Sequence, residues 1–261
     1  MILLDQAGAG VGGVRFFPVP RGPRRVVEHF WVQHEHTGHS AGQTWRIIPD
    51  TGAHVIFVVS RERPGLSTRC YLIGARSCFT DVAVANRIFT LGARLRAGAL
   101  PVLTRFPASD FTDRGIPVEE SFGSRGKMLH ERLGATHSPA AAVAVMAEFL
   151  SRECGDRAMP RFPLAHCHRV EDMASALGWP VRTLHLRAVE NLGLSPKRAL
   201  RIERLHRALV GFQARSDGWA QIAANAGFTD QAHLIREFQS LLGETPTAWG
   251  RRAYCASAVR S

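Results

Sequence analysis

The fold of the C-terminal part of the chain is decided by a short stretch that reads Gly227-Phe228-Thr229-Asp230-Gln231-Ala232-His233-Leu234-Ile235-Arg236-Glu237-Phe238. A glycine in the left-handed conformation ends a helix, so Gly227 predicts the end of one helix. Thr229 can then cap a second helix, with Asp230 in its first turn, where a negative charge is favourable. Leu234 and Phe238 follow at helical spacing and predict its buried face. The stretch therefore predicts a helix, a turn and a second helix.

The opposite face of that second helix carries Gln231, His233 and Arg236 near its start. Arginine pairs with guanine and glutamine with adenine when a helix lies in the major groove of DNA. These residue types at these positions favour double-stranded DNA as a partner. Thr229, at the turn, belongs to the same candidate surface.

The same pattern occurs upstream. Ala174 to Gly178 aligns with Ala223 to Gly227 at an offset of 49 residues, and Ser195-Pro196 aligns with Thr245-Pro246 at an offset of 50. A repeat of this length indicates one supersecondary unit used twice. We expect helix–turn–helix units at about 170–192 and 218–242, joined by a helix over 196–211 that Ser195 caps.

The connecting helix is strongly basic. One acid, Glu203, stands against Lys197, Arg198, Arg201, Arg204 and Arg207. A charge run of this kind is often only a solvated helix face. Between two helix–turn–helix units, however, we expect phosphate contacts from some of these residues, with Lys197, Arg198 and Arg201 as the candidates.

Three segments closely resemble the DNA-binding module of AraC/XylS-family transcription regulators. They are 227–238, the closing Gly243-Glu244-Thr245-Pro246 and the upstream Gly193-Leu194-Ser195-Pro196-Lys197-Arg198. The resemblance spans about 170–249 and implies two recognition helices that enter successive major-groove segments. Its first unit departs from the family pattern at Pro180, Leu186 and Ala188. A weakened first unit, or a ligand-binding protein with a partly decayed DNA reader, is therefore an alternative. The base-facing candidates that this unit keeps are Arg182, Thr183 and His185.

The N-terminal half reads as strands. Runs rich in β-branched and aromatic residues occupy 26–32, 45–48, 54–59, 70–73 and 87–91, with turns at 49–52 and 63–65. Short helices are expected at 99–106 and 116–122, and longer ones at 127–133 and 140–153.

This half resembles, more weakly, the cupin-like domain of unknown function that precedes the DNA-binding module in many such regulators. The residues that carry this resemblance are Trp45-Arg46-Ile47-Ile48-Pro49-Asp50 and the segment 92–99. We expect an α+β protein. Its parts are a cupin-like β-barrel or sandwich at 1–123 that senses an effector, a helical linker and possible dimer element at 124–157, and an all-α DNA-binding domain at 158–261.

A small barrel can hold one ligand in its mouth. Trp31, Trp45, Arg46, His54 and Phe57 are the candidates for a small-molecule effector pocket, although filling the core would explain the same residues.

The histidines His34, His36 and His39 suggest the alternative of a cupin-like metal-dependent enzyme with a helical appendage. Their polar, glycine-containing surroundings favour an exposed loop instead. We therefore predict no metal, no cofactor and no enzyme activity.

The formal net charge of +11 comes from 33 Lys and Arg against 22 Asp and Glu, and both halves are similarly basic. This balance leans towards a polyanion partner but also fits a GC-rich genome. Five cysteines fit no disulfide framework, and no apolar run approaches a membrane span. The sequence therefore predicts a cytoplasmic regulator, nucleoid-associated when bound to DNA, without a membrane partner. A homodimer and a contact with RNA polymerase are further expectations.

Overall fold

The computed structural model describes residues 3–5, 14–34, 44–83, 87–213 and 218–250. Its strands are β1 (Leu3–Asp5), β2 (Val14–Phe17), β3 (Val27–His34), β4 (Thr44–Ile47), β5 (His54–Glu62), β6 (Gly65–Ile73), β7 (Thr80–Ala83), β8 (Arg87–Leu95) and β9 (Gly115–Pro117). Its helices are α1 (Ala99–Thr104), α2 (Val118–Phe122), α3 (Ser124–Gly134), α4 (Pro139–Cys154), α5 (Val170–Leu177), α6 (Val181–Leu192), α7 (Pro196–Gln213), α8 (Trp219–Ala226) and α9 (Gln231–Leu242). These elements form an α+β protein.

The strands form two antiparallel sheets. The smaller has the order β1-β4-β7, and the larger has the order β2-β3-β8-β5-β6-β9. A long hairpin joins β5 to β6 from His54↔Ile73 to Glu62↔Gly65, and β8 pairs with both β3 and β5. The most buried strands therefore lie at the middle of the larger sheet.

Side chains alternate between the two faces of the larger sheet, as the pleat requires. On β5, Val55 and Phe57 belong to the large core that helices α1 to α4 cover. Ile56 and Val58 point the other way and pack with Trp31 and with Ile47 of the smaller sheet. The first face thus packs against helices, and the second faces the other sheet.

Helices α3 and α4, expected as a linker, pack into this same core through Leu129, Leu133, Met146 and Leu150. Ser138 caps α4 by accepting from the Ala141 N–H at 3.2 Å. A 3-10 turn, Leu164–His166, lies between α4 and α5.

Helices α5 to α9 surround a second core centred on α7, in which Ile202 and Leu205 have no exposed surface. Two residues of the N-terminal half, Ile48 and Ala75, belong to this helical core. The two halves are therefore in direct apolar contact.

Most predicted elements are confirmed, and one is wrong. The segment 116–122 was expected to be helical throughout, but Ile116 lies in β9, paired with Leu72, and the helix begins at Val118. A residue before proline is disfavoured in the helical conformation, and Pro117 follows Ile116. Cys70, Cys78, Cys154 and Cys167 are free thiols. Among the described residues, no helix combines the length and apolarity that a bilayer crossing requires.

Candidate nucleic-acid interface and effector site

The second helix–turn–helix is built as its sequence predicts. Gly227 ends α8 with φ at 83°, and the Phe228 N–H bonds the Ala223 carbonyl at 2.9 Å. Ala223 and Ile222 are buried under α9, whose Leu234 and Phe238 have no exposed surface.

The cap of α9 differs from the prediction. Its N-cap is Asp230, whose carboxylate accepts from the His233 N–H at 2.6 Å. Thr229, predicted as the cap, instead lies within 3.1 Å of His233 Nδ1 through its hydroxyl. An ionised carboxylate is the stronger acceptor for the free N–H groups at a helix start, which favours Asp230.

The outward face of α9 holds the candidate base-reading residues. The side chains of Gln231 and Arg236 are exposed and have no hydrogen-bond or ion-pair partner within the described ranges. His233 is half-buried, and its ring stands edge-on to Phe228 at 5.3 Å. Two of the three predicted side chains are thus free to meet a ligand, whereas His233 is held by its neighbours.

The first unit has the same backbone plan but a different surface. Gly178 ends α5 with φ at 64°, and Pro180 begins α6 without a side-chain cap. Arg182 and His185 are exposed and Thr183 is half-buried. Leu186, where the family has arginine, is 67% exposed. Of the departures from the family pattern, Leu186 therefore lies on the face of α6 that points away from the core, whereas Ala188 is buried within it.

The arginines of α7 are engaged inside the protein. Arg198 Nε donates to the Ser77 carbonyl at 3.0 Å, and Arg201 Nε donates to the Glu237 carboxylate at 2.8 Å. Arg204 Nη2 donates to the His168 carbonyl at 3.1 Å. The expected phosphate contacts of Arg198 and Arg201 compete with these bonds, which hold α7 to β6–β7 and to α9.

Lys197 differs from these arginines. It is exposed and has no partner in the part of the chain that the structure describes. Beside it, a notch of about 630 Å³ opens between α5, α7 and α9, lined also by Arg169, Arg201 and His233. This notch is the basic surface between the two units.

The predicted effector residues do not share one face. Trp31 and His54 point into the space between the sheets, whereas Phe57 is buried on the opposite face among the helices. Arg46 is directed towards the helical domain, where its Nη1 donates to the Leu242 carbonyl at 2.9 Å. The structure does not bring Phe57 and Arg46 together with Trp31 and His54, because alternation along a strand sends neighbouring side chains to opposite faces. The side chain of Trp45 lies outside what the structure describes.

The face between the sheets carries unpartnered polar atoms. Trp31 Nε1, Gln33 Oε1, His54 Nδ1 and Thr90 Oγ1 are buried and have no hydrogen-bond partner among the residues that the structure describes. Gln33 and Thr90 are opposite each other across β3 and β8. Buried polar groups are costly unless they are paired, so four such atoms on one face suit a polar ligand. Sequence reasoning missed Gln33, although its alternation with Trp31 was a usable signal.

His54 is held at the base of this face. Its Nε2 lies 3.0 Å from Asp50 Oδ2, while Arg94 donates to both oxygens of Asp50 at 2.7 and 3.2 Å. Burial lowers the pKa of His54 to about 3, so the ring is neutral at pH 7. Burial opposes ionisation of Asp50, but nearby positive charge, including Arg94, holds the pKa of that carboxyl well below its usual range. Nδ1 of the neutral ring is therefore an acceptor.

Of His34, His36 and His39, which were considered as an alternative metal site, the structure describes only His34, which is exposed and lies 5.3 Å from the Phe89 ring. His36 and His39 lie outside the described residues. In the described ranges, no group of three or more His, Cys, Asp or Glu side chains could hold a metal ion.

Two parts of the chain match models of known protein families. Residues 173–252 match the family model of a helix-turn-helix domain, and residues 24–117 match that of a domain of unknown function. The HTH-type transcriptional activators RhaS of Pectobacterium carotovorum and of Pectobacterium atrosepticum are each 29% identical to this chain over 82 residues. That match covers 31% of this chain and 29% of each relative.

Similar solved structures include two of ToxT from Vibrio cholerae. A structure at 1.65 Å resolution is 9% identical, with a TM-score of 0.42 over 92% of this chain and 98% of that one. A fatty-acid-bound structure is 11% identical, with a TM-score of 0.40 over 90% and 94%.

Proposed function

We propose that this chain is a sequence-specific DNA-binding transcription regulator of the AraC/XylS family, controlled by a small molecule. The match of its C-terminal part to a helix-turn-helix domain supports the proposal. The observation that carries the proposal is the outward face of α9. Gln231 and Arg236 are exposed there and have no partner in the described part of the chain, opposite a fully buried Leu234 and Phe238. A helix with this division of faces is suited to lie in the major groove.

In this proposal Arg236 pairs with a guanine and Gln231 with an adenine, because their side chains match the edges of those bases. His233 and Thr229, which lie against each other, support the start of the recognition helix and contact the DNA beside it. Lys197 contacts phosphate from the notch beside α7.

The first unit makes a weaker contribution. Arg182, Thr183 and His185 face the DNA, but Leu186 and the 42% exposed Val189 present apolar surface beside them. Such side chains contact thymine methyl groups and form no ion pair with phosphate. We therefore expect less affinity and less salt dependence from α6 than from α9.

The effector binds between the two sheets, against Trp31, Gln33, His54 and Thr90. What supports this location is the set of unpartnered polar atoms, which a ligand would satisfy. Since Trp31 Nε1 donates a hydrogen bond and both Gln33 Oε1 and neutral His54 Nδ1 accept one, the effector is an uncharged polar molecule with at least one acceptor and one donor. The proposal extends, as the family resemblance implies, to a homodimer through α3 and α4, to contact with RNA polymerase and to action on the nucleoid in the cytoplasm.

The test is selection of bound sequences from a random DNA pool by the full chain, followed by binding measurements over a range of salt concentrations. We expect an enriched motif and a steep fall of affinity with salt. Arg236→Ala should lose about 1–3 kcal/mol of discrimination at one base. The matched control is Arg69→Ala, because Arg69 is exposed on β6 and paired with Glu62.

Three outcomes are informative. The absence of an enriched motif would refute a DNA reader, and unchanged discrimination in Arg236→Ala would refute the role of that residue. A motif of a single half-site would indicate that α9 alone reads sequence.

A further inference from the structure

A cleft of about 920 Å³ lies between the two halves of the protein. The proposed function gives it no role. One wall comes from the β domain and includes Arg24, Arg94 and Arg96. The other comes from the segment after α4 and from α7, and includes Arg161 and His206. The size suits a small molecule.

The charge of the cleft is unbalanced. Five arginines line it, namely Arg24, Arg25, Arg94, Arg96 and Arg161, against the two glutamates Glu28 and Glu203. Glu28 pairs with Arg94 of the same lining, and Glu203 accepts from the Thr51 hydroxyl at 2.6 Å, so arginines exceed glutamates by three in the cleft. Burial lowers the pKa of His29, so this lining residue adds no charge at neutral pH.

Four of these arginines have no carboxylate partner among the described residues: Arg24, Arg25, Arg96 and Arg161. Some surface arginines outside the cleft are paired, as Arg69 is with Glu62 and Arg187 with Glu190. Like charges that converge on one concave surface repel one another unless an anion lies between them.

Backbone bonds hold three of these guanidinium groups without neutralising them. Arg24 Nε donates to the Val19 carbonyl at 3.0 Å, and Arg96 Nε donates to the Arg24 carbonyl at 3.1 Å. Arg25 Nη2 donates to the Arg157 carbonyl at 3.0 Å. Each group is thereby oriented and still keeps N–H donors free for a ligand.

We propose that this cleft binds a multiply charged oxyanion, either a phosphate ester or a polycarboxylate, at a site separate from the face between the sheets. A guanidinium group binds both kinds of oxyanion through paired N–H donors, and an excess of three positive charges among the lining residues favours an anion of more than one charge. Because its walls come from both halves, the bound anion stabilises their contact.

The experiment is calorimetric titration of the full chain with pyrophosphate and, separately, with citrate, at constant ionic strength set by sodium chloride. At least one should bind, and which one binds distinguishes a phosphate from a carboxylate ligand. The double variant Arg24→Gln/Arg96→Gln should bind at least about tenfold more weakly, since a hydrogen bond to a charged group contributes more than that factor.

The control Arg69→Gln/Arg114→Gln removes the same charge from exposed positions outside the cleft. It should change the affinity by less than about twofold, because salt screens distant charges. Arg161→Gln gives a second test with a variant that should fold normally, since Arg161 is exposed and has no partner in the described ranges. This substitution should also weaken anion binding.

Failure of both anions to bind the wild type would overturn the proposal, and so would equal weakening in the cleft and control variants. No DNA is present in the titration. Its result is therefore independent of whether the chain reads DNA.

Discussion

Replacing Arg94 by methionine tests the buried cluster that anchors His54. Arg94→Met keeps most of the side-chain volume but removes both charge-assisted hydrogen bonds to Asp50, a residue that is 1% exposed. Each such bond contributes about 1.5–3 kcal/mol, and loss of one partner of a buried ion pair costs about 3–5 kcal/mol. We expect the free energy of unfolding to fall by about 3 kcal/mol, at the lower end, because Asp50 keeps its bonds to His54 and to the Gly52 N–H.

The assay is urea unfolding followed by far-UV circular dichroism and thermal unfolding at pH 7. With a denaturant slope of about 2 kcal/mol/M, the midpoint should fall by about 1.5 M. At about 2–4 °C per kcal/mol, the melting temperature should fall by about 6–12 °C. The control is Glu28→Gln, which removes the 43% exposed partner of Arg94 and should cost less than about 1 kcal/mol.

The pH dependence gives a second readout. In the wild type the pKa of Asp50 is lowered, so its stabilisation is present above the unfolded value and is lost as the pH falls through the folded pKa. Without Arg94, burial becomes the stronger influence and raises the pKa of Asp50. The ionised carboxylate of Asp50 then destabilises the variant at neutral pH. The difference in free energy of unfolding between the wild type and Arg94→Met should therefore become smaller as the pH is lowered towards about 5. Equal stability of Arg94→Met and Glu28→Gln, or a deficit that widens with acid, would refute the reasoning.

Three further predictions concern other parts of the protein. The ring nitrogens of His54 should show no titration in NMR spectra between about pH 5 and 8, since burial lowers its pKa to about 3; a midpoint near 6.5 would contradict the burial of the ring. Gly178→Ala should cost about 1 kcal/mol in thermal unfolding from its positive φ alone, whereas Gly243→Ala should cost more because its Cβ would lie 2.6 Å from a phenylalanine ring; equal losses would contradict that contact. Leu186→Arg should leave stability unchanged, because the side chain is 67% exposed, and should raise the magnitude of the salt slope of DNA binding by about 0.9; an unchanged slope would show that α6 does not approach phosphate.

The second helix–turn–helix could be predicted in detail because its determinants are local. Gly227 ends one helix, and Leu234 and Phe238 define the buried face of the next within a dozen residues. The cap was misassigned between Thr229 and Asp230, since both residue types can cap a helix and only the geometry of the turn separates them.

The interactions that sequence reasoning could not supply join residues far apart in the chain. Asp50 was read as a turn residue, yet it is buried because Arg94, 44 residues away, neutralises it. Arg198 was read as a phosphate contact, yet its partner Ser77 is 121 residues away. A polar residue at a turn or on a basic helix looks solvated until its tertiary partner is known.

The candidate effector site could be predicted in part, because some of its features depend on local sequence and others on distant partners. Period-two alternation along β5 would have been sufficient to separate Phe57 from His54. It could not indicate that the helical domain covers the outer face at Arg46. Gln33 and Thr90 become neighbours only through the pairing of β3 with β8.

The presence of Ile48 and Ala75 in the core of the helical domain bears on how such proteins diversify. Recombination that joined this DNA reader to a foreign sensor at a breakpoint after α4 would leave an uncovered apolar patch where these two side chains now lie. Viable exchanges must therefore bring a sensor with matching apolar residues at this contact, or be followed by substitutions on α7. The two halves of this protein are therefore matched to each other at this contact.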